Sequence, residues 1–313
     1  MHNFTSMKPL LISLLFILSA LSTVGQPLYS KAFGKPTDNP IIFLHGGPGS
    51  SSVYFEATTA KKLANQGFYV IIYDRKGEGR SANQHAKMNF EEAFNDLNDI
   101  YKKYRLTKAN LIGFSFGGLI TSQYAIKFPD KVKSIILVSA LLSQQASYHT
   151  ILNSTEKIYT QQDDGAGLDD LHSIAKMDTN SIGYRTAVFK HAIKNGYFSL
   201  KNPDSLAKVI YSTYKTDPLI KNYVKNEQAV ETFWEHELLK NINVLPQLKM
   251  VKNAGIPIYA LYGKQDGLYS KNQVAQLAKI VGVSRLKYLD NCSHTLFIDQ
   301  QTKFIESLKG WLN

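Results

Sequence analysis

From residue 40 onward, short runs of β-branched and aromatic residues alternate with segments of helical period. The run IIFLH at residues 41–45 is apolar without alternation, which predicts a strand buried on both faces, and a glycine loop follows it. Residues 52–66 predict a helix and YVIIYD at 69–74 the next strand. Residues 89–104 open with Asn89 and place Glu92 three positions on, the spacing of a capping box. In that stretch Ala93, Phe94, Leu97, Ile100 and Tyr104 fall on one helical face. NLIGFS then reads as a strand, 116–127 as a helix, and KSIILVSA at 133–140 as another strand. A further strand is expected at 28–33. The βαβα rhythm predicts an α/β fold with a mostly parallel sheet flanked by helices.

The rhythm stops at residue 142. Residues 142–250 contain no buried-strand pattern, are rich in tyrosine and polar residues, and are broken by Gly165, Gly167, Gly183, Gly196, Pro203 and Pro218. A loop of that length does not stay structureless in a compact domain, so a helical lid is expected there. Alternation resumes with IPIYALYG at 256–263, a helix near 270–281, RLKYLD at 285–290 and a closing helix near 295–312. The predicted core is therefore 26–141 together with 251–313.

The start of the chain is set apart. Residues 1–25 carry one lysine, Lys8, an apolar stretch from Leu10 to Leu21, and small residues before Gln26. This is the layout of a cleaved secretory signal peptide, with an uncleaved anchor as the alternative, and the apolar stretch is short for a membrane span. An exported protein, periplasmic or secreted, is expected, with no stable membrane insertion once the signal is removed. The single cysteine, Cys292, permits no intramolecular disulfide, so stability must come from the core. The formal charge of +11 raises nucleic acid as a partner, but the lysines are scattered and no nucleic-acid motif accompanies them. A small-molecule or short-peptide substrate is expected instead.

Gly113-Phe114-Ser115-Phe116-Gly117 fits G-x-S-x-G and lies between a predicted strand and a predicted helix. There the turn is sharp enough to strain the serine, and side chains two positions to either side would collide with neighbouring elements. Serine becomes a useful nucleophile only when a histidine takes its proton, and that histidine needs an acid to fix its tautomer. Asp266 and His294 follow in chain order, each just past a predicted strand, at the sheet edge that also carries Ser115. Asp290 and Asp299 are the rival acids, but neither follows the strand that supplies this residue. HGGPGSS at 45–51 is a glycine loop whose amides can approach a reacting carbonyl. Gly47 and Phe116 are the expected oxyanion-hole donors. This chemistry calls for no metal and no organic cofactor.

Together the elbow, HGGPGSS and the Asp/His order resemble the α/β-hydrolase superfamily across residues 28–313. HGGPG with YDRKGEGRS at 73–81 is most similar to the prolyl aminopeptidase (proline iminopeptidase) family, although Arg75-Lys76 stand where that family has Gln-Arg. The resemblance implies a helical lid between strands six and seven, and a bracing role for Asp74 and Ser81. It also implies lid glutamates that hold a substrate ammonium group. AVETFWEHELL at 229–239 resembles the corresponding lid segment and makes Glu235 the candidate, beside Trp234, with Glu231 one helical turn earlier. An exposed amphipathic helix carrying ordinary acids explains the same letters.

The expected function is that of a serine hydrolase working through an acyl-enzyme, as a prolyl-aminopeptidase-like enzyme that removes N-terminal residues from short peptides. A carboxylesterase or lactonase shares the same catalytic groups. A non-catalytic binding module on this fold is the alternative from another class.

Overall fold

A computed structural model describes residues 27–82 and 85–313. The signal sequence expected at 1–25 lies outside the described residues. Seven strands form one sheet: β1 (Ser30–Phe33), β2 (Asn39–Leu44), β3 (Phe68–Tyr73), β4 (Ala109–Phe114), β5 (Val132–Val138), β6 (Ile258–Gly263) and β7 (Leu286–Leu289). Their order is β1-β3-β2-β4-β5-β6-β7. Every neighbouring pair is parallel except β1 with β3, which runs antiparallel at the edge.

Strand side chains alternate between two apolar layers, as a period of two requires. Ile42, Leu44, Ile71, Leu111, Ile135 and Leu137 face one layer, packed with helices Phe90–Lys103, Gly117–Lys127, Leu245–Asn253 and Lys271–Val281. Ile41, Phe43, Val70, Ile72, Ile112 and Ile136 face the other, packed with the helical stretch Val53–Ala64 and helix Gln301–Leu312. Both sheet faces are covered, which is why the strand sequences read as continuous apolar runs.

Local chemistry refines two expectations. The Asn89 side chain caps helix Phe90–Lys103 by accepting from the Glu92 amide at 2.9 Å. Glu92 does not close a capping box on Asn89; its carboxylate accepts instead from the Lys87 and Met88 amides at 2.8 and 2.7 Å. The closing helix is broken into Leu296–Asp299 and Gln301–Leu312, with the Asp299 carboxylate accepting from the Ser293 amide at 2.7 Å.

The segment without strand pattern is helical. It comprises Gln144–Gln162, Gly165–Ile174, Ile182–Lys194, Ser205–Ser212, Pro218–Lys221, Ala229–His236 and Leu245–Asn253. Five of these helices begin at side-chain caps, namely Ser143, Asp164, Ser181, Asp204 and Asp217. Such residues satisfy the orphan amides of a first turn, so a polar, broken sequence still folds as helices. The insertion follows the fifth described strand and precedes the sixth, not the sixth and seventh, because the described sheet has one strand fewer ahead of it. An isolated bridge between Ser143 and Asn243 ties its two ends together. Among the described residues no helix is long and apolar enough to cross a membrane.

Candidate active site

Ser115 follows β4 directly and adopts φ +52°, a left-handed conformation that costs a non-glycine residue about 1–3 kcal/mol. The surrounding glycines are sterically required. A Cβ on Gly113 would meet Thr121 Oγ1 at 2.6 Å, and one on Gly117 would meet the Leu44 carbonyl oxygen at 2.3 Å. The strain therefore sits in a turn that the flanking packing fixes, and helix Gly117–Lys127 begins two residues later.

Asp266 lies beyond β6 and His294 beyond β7, both buried. His294 Nδ1 contacts Asp266 Oδ2 at 2.8 Å, and Asp266 Oδ1 accepts from the Leu268 amide at 3.0 Å. The imidazole is packed against the rings of Phe114, Phe198 and Tyr269, with centroids 5.1, 5.4 and 6.0 Å away. A histidine held through Nδ1 by a carboxylate presents Nε2 as a base. The rival acids are engaged elsewhere. Asp290 pairs with Lys264 at 2.9 Å, and Asp299 binds Ser293 and the Tyr211 hydroxyl.

Ser115 and His294 line one cavity of about 360 Å³, together with Gly47, Phe116, Trp234 and residues of the insertion. No hydrogen bond joins the two side chains among the described residues. The Ser115 hydroxyl instead neighbours the Tyr269 hydroxyl, which itself donates to the Ser139 carbonyl at 2.9 Å. Resting enzymes often show catalytic hydrogen bonds that are long or absent until substrate arrives. Gly47 and Phe116 both reach this cavity, and among the described residues neither backbone amide is given to an acceptor.

The glycine loop is held from behind by residues whose part the sequence did not reveal. Buried Arg75 donates from Nη1 to the His45 carbonyl and from Nη2 to the Gly46 carbonyl, both at 2.6 Å. Its Nε donates to Glu78 Oε2 at 2.6 Å, and Glu78 Oε1 accepts from the Gly49 amide at 2.5 Å. The guanidinium also lies 5.6 Å from the Phe116 ring centroid, so one side chain touches both halves of the expected oxyanion hole. Burial pushes the Glu78 carboxyl upward, and the Arg75 charge opposes that shift. Burial drives His45 well below its ordinary value and leaves it neutral. Its Nδ1 donates to the Gly46 carbonyl at 2.8 Å, while Nε2 accepts from the Arg75 amide at 3.1 Å. The only sequence signal for this clamp was the Arg75-Lys76 departure from the related pattern.

Asp74 and Ser81 do brace the following loop. Asp74 accepts from the Ser52 amide and hydroxyl and from Arg80, and the Ser81 hydroxyl donates to the Asp74 carbonyl at 2.7 Å. Burial opposes ionisation of Asp74, but the Arg80 guanidinium and the Ser52 hydrogen bond hold its carboxyl below the usual range.

A profile for the alpha/beta hydrolase fold matches residues 39–301. The chain belongs to the α/β-hydrolase family. Within it, the chain is 26% identical over 305 residues to a proline iminopeptidase of Lactobacillus delbrueckii subsp. bulgaricus, covering 91% of this chain and 93% of the relative. Identity to a proline iminopeptidase of Clostridium botulinum is 27% over 294 residues, covering 91% and 94%. Among solved structures, a proline iminopeptidase-related protein from Thermus thermophilus superposes with a TM-score of 0.65 at 19% identity, covering 90% and 92%. An esterase from Exiguobacterium antarcticum superposes at 0.61 with 19% identity, covering 91% and 95%. The chain is thus an α/β hydrolase related to prolyl aminopeptidases.

The glutamates carried over from that resemblance are not brought to the cavity. Trp234 is buried and lines it, donating from Nε1 to the Asn180 carbonyl at 3.2 Å. Glu231 and Glu235 lie on the exposed face of helix Ala229–His236, outside the lining. The buried glutamate of that segment is Glu237, whose two oxygens accept from the Phe90 and Leu239 amides, each at 2.8 Å. Among the described residues no aspartate or glutamate lines the cavity, while Arg185, Lys225 and His294 contribute to it. Among the described residues no three His, Cys, Asp or Glu side chains converge as a metal-ligand set.

Proposed function

We propose that this α/β hydrolase is a serine hydrolase that cleaves carboxylic esters through an acyl-enzyme. The observation that carries the reading is the 2.8 Å contact of His294 Nδ1 with Asp266 Oδ2, beside a strained Ser115 in the same cavity. On substrate entry the Ser115 hydroxyl rotates from Tyr269 toward His294 Nε2. His294 takes the proton as Ser115 Oγ bonds to the acyl carbon, while Asp266 stabilises the imidazolium. The Gly47 and Phe116 amides receive the developing oxyanion, each such donor supplying roughly 2.7–4 kcal/mol at the transition state. Collapse breaks the bond to the alcohol, which leaves with the proton from His294. A water then gives its proton to His294, attacks the acyl carbon, and releases the acid with Ser115 restored.

The ester reading is preferred because a free amino terminus is cationic and a buried cation needs a carboxylate, which this cavity does not offer. The second reading, removal of an N-terminal residue from short peptides, is favoured by proline iminopeptidases matching over 91% of the chain. Free and N-acetylated amino-acid anilides assayed beside acyl esters separate the two. Ester turnover with no gain from a free amine is expected, and preference for the free amine rejects the ester reading. Ser115→Ala is expected to lower kcat by at least about 10⁴-fold and to end labelling by a fluorophosphonate probe. Undiminished labelling of that variant would remove Ser115 from the mechanism.

A further inference from the structure

The insertion side of the cavity carries a cation without a counter-ion. Arg185, on helix Ile182–Lys194, lines the cavity half-buried, and among the described residues it takes part in no ion pair. The other cations there are already matched, Lys225 by Glu227 at 2.7 Å and the His294 ring by Asp266. The neighbours of Arg185 are polar or aromatic: its guanidinium sits 4.7 Å from the Phe189 ring centroid and beside the Tyr148 hydroxyl. Desolvating a guanidinium with no anion is costly, so a site that holds one open is arranged for an anion that comes from outside.

The surrounding groups support that reading independently. Tyr148 and Gln144 stand one helical turn apart on helix Gln144–Gln162, and both are buried and line the cavity. The Tyr148 hydroxyl, with Gln144 and Arg185 as its polar neighbours, is sealed from solvent and makes no hydrogen bond of acceptable geometry. Gln144 accepts from the Ile242 amide at 2.8 Å through its oxygen, which fixes the side chain and leaves the amide nitrogen as a donor. The guanidinium and the carboxamide nitrogen are donors, the phenol can donate as well, and among the described residues no carboxylate lines the cavity beside them. Buried polar groups of this kind are nearly always paired in the functioning protein.

We propose that the substrate of the ester hydrolase carries a carboxylate, which seats on Arg185 and accepts further hydrogen bonds from Tyr148 and Gln144. This rests on the ester-hydrolase reading above and narrows its substrate to half-esters of dicarboxylic acids or esters of hydroxy acids. Arg185, with Phe189 fixing the guanidinium plane, offers the two parallel donors that a carboxylate matches. The cavity, about 360 Å³, is at the small end of the ~300–1,000 Å³ usual for small-molecule sites, in keeping with a short substrate.

Two matched ester pairs test this on the unaltered protein. One is 4-nitrophenyl hemisuccinate against 4-nitrophenyl methyl succinate, with the carboxylate on the acyl side. The other is 4-acetoxybenzoate against its methyl ester, with the carboxylate on the alcohol side. At least about a tenfold higher kcat/KM is expected for the carboxylate member of one pair, shrinking as salt is raised. In Arg185→Gln that ratio is expected to fall to near one, and Arg185→Lys to recover part of it. Equal or inverted rates in both pairs would overturn the proposal, as would a preference that survives Arg185→Gln. Should no ester react, the acyl-enzyme reading fails, and calorimetry with glutarate still decides the subsite: binding by the wild type that is lost in Arg185→Gln supports it, and no binding by the wild type rejects it.

Discussion

The two walls of the cavity are built on different principles. The wall made by the strand ends and their loops is fixed by dense, short hydrogen bonds: Arg75 to His45 and Gly46, Glu78 to Gly49, Asp74 to Ser52 and Arg80. The wall made by the insertion is formed by Phe189, Ile193, Phe198, Val230, Phe233 and Trp234, with Arg185 among them. The same contrast holds outside the cavity. Of the large apolar side chains left exposed among the described residues, Val209, Val224 and Leu238 at 63, 76 and 93% belong to the insertion, and Val283 is the one in the core region. Hydrogen-bonded networks tolerate little displacement, whereas packed aromatic surfaces accept side-chain exchange at modest cost. The first wall therefore suits steps common to every substrate, and the second suits the choice among substrates.

Substitutions sharpen that division, beginning where the effect is largest. Removing the clamp behind the glycine loop with Arg75→Met is expected to lower kcat about 10²-fold with a much smaller change in KM, since Gly47 and Phe116, the proposed oxyanion donors, lose their fixed positions. Arg75→Lys, which keeps the charge but not the fork, is expected to recover only part of it. A folded Arg75→Met protein with kcat within threefold of wild type would show that the loop needs no clamp.

A smaller effect concerns stability on the same side. Burial raises the Asp96 carboxyl from 3.8 to about 7, although it accepts from the Lys76 amide at 2.8 Å. An acid whose folded value is raised keeps its proton where the unfolded chain has lost it. Stability accordingly falls as pH rises from about 4 to about 7, by an upper bound of about 4 kcal/mol. Asp96→Asn keeps an acceptor and removes the titration. Its Tm is expected to exceed that of wild type by at least about 2 °C at pH 8, with the gap closing toward pH 4.5. Parallel Tm-against-pH curves for the two proteins would refute this.

The smallest expected effect lies on the insertion. Glu231→Gln and Glu235→Gln, singly or together, are expected to change kcat/KM for any substrate by less than about twofold, because exposed acids contribute little at a distance through water. A selective loss of turnover on free-amine substrates would restore the ammonium-binding role that their sequence context implies, and would erase the contrast between the walls.

How far each wall could be read in advance follows from the range of the contacts that make it. The elbow was legible because Gly113, Ser115 and Gly117 occupy a backbone geometry that five consecutive residues impose. The Asp266–His294 pair was legible because each residue ends a strand whose apolar run is recognisable by itself. Arg75 stands out in the sequence only as a departure, since its bonds reach back about thirty residues to carbonyls that have no side-chain signature. Glu231, Glu235 and Glu237 look alike in AVETFWEHELL, yet the first two face solvent and the third ties the insertion to Phe90.

Residue type and spacing alone specified the parallel sheet, the placing of Ser115, Asp266 and His294 in chain order just past their strands, and the helical character of residues 142–250. These depend on residue type, period and short-range turns, which local sterics and hydrogen bonding enforce wherever the chain lies. That Arg185 turns inward while Glu231 and Glu235 turn outward follows from long-range packing. The facing of an inserted helix is set by packing against elements far along the chain, and no local rule of the sequence encodes that rotation.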